Sequence, residues 1–144
     1  MKFQDYIKNG FIRKSSPDKQ LALSLLKQTK QDKEFFDSLE INEKSARKIA
    51  SNYYDLLRSI LEAISALDGY KIYNHEGFVY YLKEKNELKL AEKFDRIRRI
   101  RNNINYYGSA VSKEEAQDIK DNVNEMLPLL IEKYLKELEW TPVS

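Results

Sequence analysis

The stretch from Glu43 to Leu67 constrains the fold more than any other part of this 144-residue chain. Its apolar residues recur at steps of three and four, which places their side chains on one face of an α-helix. They are Ala46, Ile49, Ala50, Tyr53, Leu56, Leu57, Ile60, Ile64 and Leu67. Asp68-Gly69 follows as a C-terminal stop. A face this long must be covered by other elements, so the pattern predicts a long helix packed among others.

Capping residues divide the rest of the chain into further helices. Ser16-Pro17 places a serine N-cap before a proline at the first helical position, Asn42 and Asn74 are further N-caps, and Gly108 is a stop. The predicted helices cover about 17–39, 43–67, 75–82, 87–107 and 113–138. Alternation of the kind that marks strands is not evident.

The last predicted helix has the clearest start and one irregularity. Ser112-Lys113-Glu114-Glu115 is a capping box, and Pro128 should kink the helix without breaking it. We therefore expect an all-α protein, an antiparallel up-and-down bundle of four to five helices. Residues 16–140 form the single domain, residues 1–15 an arm or short helix that is otherwise loose, and residues 141–144 a tail.

Composition excludes several classes of site. The chain has no cysteine, which removes disulfides, cysteine-ligated zinc and thiol nucleophiles, and a lone histidine does not make a zinc site of the usual type. We expect no metal and no cofactor. No apolar run approaches the roughly 20 residues of a membrane span, and MKFQDYIKNG lacks the apolar core of a signal peptide. We expect a cytoplasmic protein without membrane contact.

Charge is distributed unevenly although the net charge is only +2. Residues 93–101 hold five cations and one acid, a local +4, whereas residues 112–144 hold four lysines and eight acids, a local −4. Two interpretations are open. The two segments neutralise each other within the chain, or the basic segment contacts phosphate.

The basic segment continues into RIRRIRNNINYYG, residues 96–108. On a helix with about 100° per residue, the apolar residues fall in one arc, together with Arg101. The arc contains Phe94, Ile97, Ile100, Ile104 and Tyr107. Arg96 and Arg99 point away and are expected to be solvated. A guanidinium in the arc needs a partner, either a carboxylate such as Glu62 or Asp55 or the anion of a ligand.

RNNINYYG, with LDGYKIYNHEGFVYYL before it, resembles the HEPN superfamily. The resemblance implies an antiparallel helical bundle that is commonly a homodimer. In active members an arginine binds the scissile phosphate and a histidine performs acid–base catalysis in a metal-free ribonuclease. Other members are partners of minimal nucleotidyltransferases in toxin–antitoxin pairs.

Residue by residue, Arg101 matches the motif arginine and Asn102 its polar neighbour, but Tyr106 stands in place of the histidine. A phenol with a pKa of about 10 is a poor base beside an imidazole of about 6.5. In the branch paired with nucleotidyltransferases a tyrosine follows the histidine by two positions. Here that position is Gly108, next to Tyr107.

The resemblance therefore predicts a catalytically degenerate protein that binds RNA or a nucleotide in a toxin–antitoxin or defence context. The expected contacts are Arg98, Arg101, Asn102, Asn105, Tyr107 and His75. One alternative is a metal-independent endoribonuclease that uses Arg101 with Tyr106 or His75. Another is a non-enzymatic module that docks a nucleotidyltransferase.

His75 and the paired tyrosines each have two interpretations. His75, the only histidine, either packs and caps its helix or reaches the Arg101 cleft as an acid–base group. The tyrosines form the pairs Tyr53-Tyr54, Tyr80-Tyr81 and Tyr106-Tyr107. Adjacent helical residues point about 100° apart, so each pair is expected to bury one ring and leave the other at a rim, for a core and dimer interface or for base stacking.

Overall fold

The computed structural model of the protein describes residues 2–139, and within them the chain is mostly helical, as predicted. The end of the predicted domain at residue 140 and the tail at 141–144 lie outside the described residues. In chain order the elements are α1 (Phe3–Lys8), β1 (Ile12–Lys14), α2 (Lys19–Asp37), α3 (Ala46–Asp68), β2 (Tyr70–Ile72), α4 (His75–Glu84), α5 (Leu88–Tyr107), α6 (Lys113–Tyr134) and α7 (Lys136–Glu139).

Helix α3 is the centre of the core, as its apolar pattern predicted. It packs most extensively against α2 and α6, and α4 packs against α5. The predicted apolar face is buried along almost its whole length, from Ala46 to Ile64. Gly69 ends α3 in the left-handed conformation, with φ of 86°, which a residue without a side chain adopts most easily.

Helix α2 starts two residues later than the Ser16-Pro17 signal indicated. Its N-cap is Asp18, whose carboxylate accepts from the Leu21 N–H at 3.0 Å. The segment before it is held against the end of α3, because the Asp18 N–H donates to the Ala66 carbonyl at 2.9 Å. That contact fixes Pro17 outside the helix.

Helix α3 likewise starts at Ala46 and not at Glu43. Asn42 does act as a cap, but of a turn ahead of the helix: its Oδ1 accepts from the N–H groups of Lys44 and Ser45 at 2.9 and 3.0 Å. A capping side chain identified from sequence can cap a turn as well as a helix.

The structure agrees with the predicted all-α class and with a short N-terminal helix, α1, but the segment after that helix is not loose and the helical chain contains one small sheet. β1 and β2 form an antiparallel two-stranded sheet with Ile12 opposite Ile72. Ile12 is fully buried, and Phe3 and Tyr6 of α1 are also part of the core. Strands of three residues are too short to show the alternation by which strands are recognised.

The remaining helix ends agree with the capping predictions. Asn74 Oδ1 caps α4 by accepting from the Gly77 N–H at 2.7 Å, and Gly108 ends α5 with φ of 62°. The capping box of α6 is present between Ser112 and Glu115. α6 runs unbroken through Pro128 to Tyr134.

Candidate functional site

An open polar depression lies between the start of α4 and the second half of α5. Its volume is about 300 Å³. It is lined by Asn74, His75, Glu76, Arg98, Arg101, Asn102 and Tyr106, and we call it the Arg101 cleft. Arg98, Asn102 and Tyr106 follow one another at steps of four, which puts them on one side of α5. This spacing is present in the sequence and identifies the cleft side of the helix.

Arg101 has an acidic partner in its own chain, yet it remains part of the cleft wall. Its Nη2 lies 3.6 Å from Asp55 Oδ1, and the guanidinium lies over the Tyr54 ring, 5.4 Å from the centroid. The Arg101 side chain is 25% exposed and that of Asp55 47%. A separation of 3.6 Å is too long for a direct hydrogen bond. Of the two acids considered from sequence, Asp55 is the partner, because Glu62 binds Arg58 at 2.9 Å.

Asn105 supports Arg101 from one turn further along α5. With its amide oxygen toward the guanidinium, it accepts from Arg101 Nε at 3.2 Å and from Nη1 at 3.1 Å. These contacts hold the guanidinium by one edge and leave Nη2 facing only the more distant Asp55 among the described residues. Asn105 is not among the residues that line the cleft, so it positions the arginine.

The other arginines of α5 are already paired with acids. Arg98 lines the cleft, but its Nε and Nη2 donate to Asp95 Oδ1 at 3.1 and 2.7 Å. Arg99 also contacts Asp95, at 3.0 Å, and Arg96 contacts Asp118 of α6 at 3.1 Å. Arg96 and Arg99 point to solvent as the helical spacing predicted. Within residues 2–139, the Arg96–Asp118 pair is the one ion pair that joins the basic segment to the acidic segment.

His75 does reach the Arg101 cleft, at the first position of α4. Its Nδ1 and the Tyr54 hydroxyl are 2.9 Å apart. Burial lowers the pKa of His75 below its usual 6.5, and the nearby cations Arg58 and Arg101 lower it further. Burial also raises the pKa of Tyr54 far above 10, so this phenol keeps its proton and can donate to a neutral imidazole. The cleft thus holds an uncharged histidine beside a cationic arginine.

Neither Glu76 in the cleft wall nor Tyr54 beneath Arg101 was predicted as a site residue from the sequence. The exposed Glu76 lies one position after His75, whereas Tyr54 has the larger structural role. It is fully buried, packs under Arg101 and hydrogen-bonds His75, so one ring orients two groups of the cleft. Tyr53 next to it is fully buried as well. Because α3 is enclosed on most sides, adjacent tyrosines can both be core residues, and the expectation of one rim ring in this pair is wrong.

The Tyr106-Tyr107 pair also departs from the expectation of one buried and one rim ring, because neither ring is buried. Both rings are exposed, at 77% and 80%, although the helical spacing placed Tyr107 on the apolar arc with Ile104. Only Tyr106 lines the cleft. Ile104 is the last buried residue of α5, because the final turn of that helix extends beyond the elements that cover it. In the Tyr80-Tyr81 pair, as expected, Tyr81 is buried and Tyr80 partly exposed.

Two negative findings concern residues 2–139. They contain no group of three or more histidine, cysteine or acidic side chains arranged to hold a metal ion. They also contain no helix with both the length and the apolar character that a membrane span requires. The cleft lining offers two guanidinium groups, amides, a phenol and an imidazole, all of which can hydrogen-bond an oxyanion, together with the Glu76 carboxylate, which repels one.

Comparison with known proteins adds no relative to this description. No protein-family model matches the chain, and searches of curated proteins and of solved structures find no match.

Proposed function

We propose that this chain is a HEPN-like protein that binds RNA or a nucleotide through the Arg101 cleft and does not cleave it efficiently. One observation carries the proposal. Arg101 and Asn102, the two residues that match the HEPN motif, line a single open cleft together with His75. Tyr106, at the position of the motif histidine, lines the same cleft and is exposed.

The electrostatics of the cleft favour a phosphate group. Arg101 presents planar N–H donors suited to bidentate contact with phosphate oxygens. The start of α4 adds the partial positive charge of a helix N-terminus, which Glu76 in the first turn of that helix offsets in part. The contact between Arg101 and Asp55 is half-exposed and 3.6 Å long. Pairs of this kind contribute roughly 0–1 kcal/mol, so a phosphate displaces the carboxylate at little cost.

The biological setting belongs to the same proposal and is supported by the HEPN resemblance alone. It includes a toxin–antitoxin or defence role, a homodimer, and a nucleotidyltransferase as partner protein. In this setting Tyr106, in the cleft wall, and Tyr107 next to it are both exposed at the end of α5 and are accessible to a second chain.

Replacement of Arg101 tests the proposal. In the Arg101→Ala variant we expect affinity for a 5′-fluorescein-labelled single-stranded RNA to fall about tenfold or more, since hydrogen bonds to charged groups contribute roughly 1.5–3 kcal/mol. Arg99→Ala is the matched control, because Arg99 is on the same helix, more exposed, and outside the cleft. Fluorescence polarisation measures the affinity, and thermal melting checks the fold.

The melting temperature of Arg101→Ala should stay within a few degrees of wild type, because the Asp55 pair is partly solvated. Unchanged RNA affinity in Arg101→Ala, or an equal loss in Arg99→Ala, would contradict the proposal.

A second candidate function is metal-independent RNA cleavage, and the position of His75 favours it. His75 lies in the cleft with Arg101, and burial lowers its pKa, which favours the neutral ring near pH 7. In the tautomer that donates its Nδ1–H to the Tyr54 hydroxyl, the Nε2 lone pair is free to accept a proton. The protein, in excess over RNA and in the presence of a chelator, should then release products with 2′,3′-cyclic phosphates, and His75→Gln or Arg101→Ala should abolish them. Tyr106→Phe distinguishes the two possible acid–base groups: products should persist if His75 performs the reaction and disappear if Tyr106 does. Absence of cyclic-phosphate products rejects this candidate.

A further inference from the structure

The two-stranded sheet presents an outer face that the Arg101 cleft does not include. Ile12 lies opposite Ile72 and is buried, so Arg13 and its opposite residue Lys71 point to the other side. The pairing continues one step further, because the Tyr73 N–H donates to the Phe11 carbonyl at 2.8 Å. We call Phe11, Arg13, Lys71 and Tyr73 the sheet face.

The sheet face combines exposed aromatic rings with cations. Phe11 is 41% exposed and Tyr73 57%, and Arg13 and Lys71 are exposed. Large apolar side chains at a surface with neighbouring charges are typical of contact sites for nucleic acids, where rings stack on bases and cations contact phosphates.

The two cations of the sheet face, Arg13 and Lys71, are cross-strand neighbours. Arg13 and Lys71 are directly opposite in the antiparallel register, where like charges are destabilising. Neither side chain forms a hydrogen bond or an ion pair with another residue in the 2–139 range. The phosphates of a polyanion bound across both strands would offset the repulsion between Arg13 and Lys71, which makes binding of such a ligand more favourable.

A pocket adjoins the sheet face on the side of β2. It has a volume of about 210 Å³, includes Lys71 and Tyr73 in its wall, and is closed on the far side by α2 and α3. Its two acids are engaged elsewhere: Asp18 caps α2 and Glu62 binds Arg58. The pocket offers a partly open space next to Tyr73.

The sheet face is joined to the Arg101 cleft through the chain, because Tyr73 is followed directly by Asn74 and His75 of the cleft wall. We infer that the sheet face is a second contact site for single-stranded RNA, in which a base stacks on Tyr73 while Arg13 and Lys71 contact its phosphates. One strand passes from this face into the cleft. The inference rests on the proposed function for the class of ligand, and it adds a stacking site that the cleft alone does not provide.

Two substitutions on the sheet face test the inference. Tyr73→Leu removes the ring but keeps an apolar side chain, and Lys71→Gln removes one charge. The probe is a 5′-fluorescein-labelled oligouridylate of about twelve nucleotides, because such a strand has the length to occupy several contacts. Phe35→Leu and Lys44→Gln are matched controls, since Phe35 is an exposed ring of α2 and Lys44 an exposed cation before α3.

We expect Tyr73→Leu to weaken binding of the oligonucleotide about fivefold or more. Lys71→Gln should lower the slope of log Kd against log salt concentration by about 0.7, as loss of one single-strand phosphate contact does. Direct titration with uridine 5′-monophosphate measures the affinity of a single nucleotide, which we expect to occupy the Arg101 cleft, so neither variant should change its Kd. The control variants should match wild type, and all four should melt within a few degrees of it.

Failure of the inference is distinguishable from failure of the proposed function. Suppose Arg101→Ala weakens the binding of both the oligonucleotide and uridine 5′-monophosphate, while Tyr73→Leu and Lys71→Gln bind the oligonucleotide like wild type. The sheet face is then not an RNA site, and the proposal that the cleft binds RNA is retained. If the sheet-face variants lose affinity for the oligonucleotide and Arg101→Ala does not, the sheet face is an RNA site and the proposal that the Arg101 cleft binds RNA is rejected. A wild-type protein that binds neither probe overturns both. Photocrosslinking of 4-thiouridine RNA, read by mass spectrometry, should mark the peptide that contains Tyr73.

Discussion

Gly69 allows a quantitative test of how the sheet is attached to the core. It joins α3 to β2 with φ of 86°, and a Cβ built on it would lie 2.9 Å from the backbone carbonyl oxygen of Ser15. The same Ser15 donates its N–H to the Gly69 carbonyl at 2.8 Å. Gly69→Ala therefore has two energetic costs. The alanine must adopt a left-handed backbone conformation, and its Cβ overlaps the Ser15 carbonyl oxygen, which cannot move away easily because the Ser15 N–H is hydrogen-bonded to residue 69.

The two penalties can be separated within this protein. Gly10 and Gly108 also have positive φ, 79° and 62°, but a Cβ on either would contact nothing within 4 Å. Gly10→Ala and Gly108→Ala thus report the conformational cost alone, about 1 kcal/mol. Overpacking adds roughly 1–3 kcal/mol, so Gly69→Ala should cost about 2–4 kcal/mol.

These free energies correspond to measurable shifts in melting temperature. An unfolding entropy of about 2.1 cal/mol/K per residue gives about 0.3 kcal/mol/K for 144 residues. Gly10→Ala and Gly108→Ala should then lower the melting temperature by about 3 °C, and Gly69→Ala by roughly 7–13 °C, as measured by calorimetry. A shift in Gly69→Ala no larger than in Gly108→Ala would show that the contact with Ser15 relaxes freely, and the argument would be refuted.

Two further predictions concern the polar cluster between α2, α3 and α6. Although burial opposes it, hydrogen bonds from Lys33, Tyr53 and Asn124 hold the pKa of Asp37 below its usual 3.8. A depressed carboxyl pKa stabilises the fold above about pH 4, and this stabilisation is lost as the pH falls through the folded-state value. Asp37→Asn should therefore lose less stability than wild type between pH 5 and pH 3 in denaturant titrations. Tyr53→Phe should cost about 1 kcal/mol at pH 7, because the partly exposed Asp37 carboxylate loses one of its three donors. An unchanged denaturation midpoint would contradict the role of this hydrogen bond.

The sequence alone determined the features of this protein that depend on neighbouring residues. The apolar spacing of α3 identified the central helix, and the caps at Asn74, Gly108 and Ser112 placed three helix ends within a residue of the structure. Capping and helical spacing act over one or two turns, so the information is contained in a short stretch of chain. For the same reason Arg101 could be recognised as a charged residue on an apolar arc.

The tertiary structure decided what each face of a helix meets. Helical spacing placed Tyr107 and Ile104 on the same arc, yet only Ile104 is buried, because no other described element covers the last turn of α5. The strands were missed for a related reason: β1 and β2 are three residues each, and 55 residues separate Lys14 from Tyr70. Whether Arg101 pairs with Asp55 and faces a cleft beside His75 depends on where α3, α4 and α5 lie in space. Contacts between residues distant in the chain are set by packing of the whole core, which local spacing does not specify.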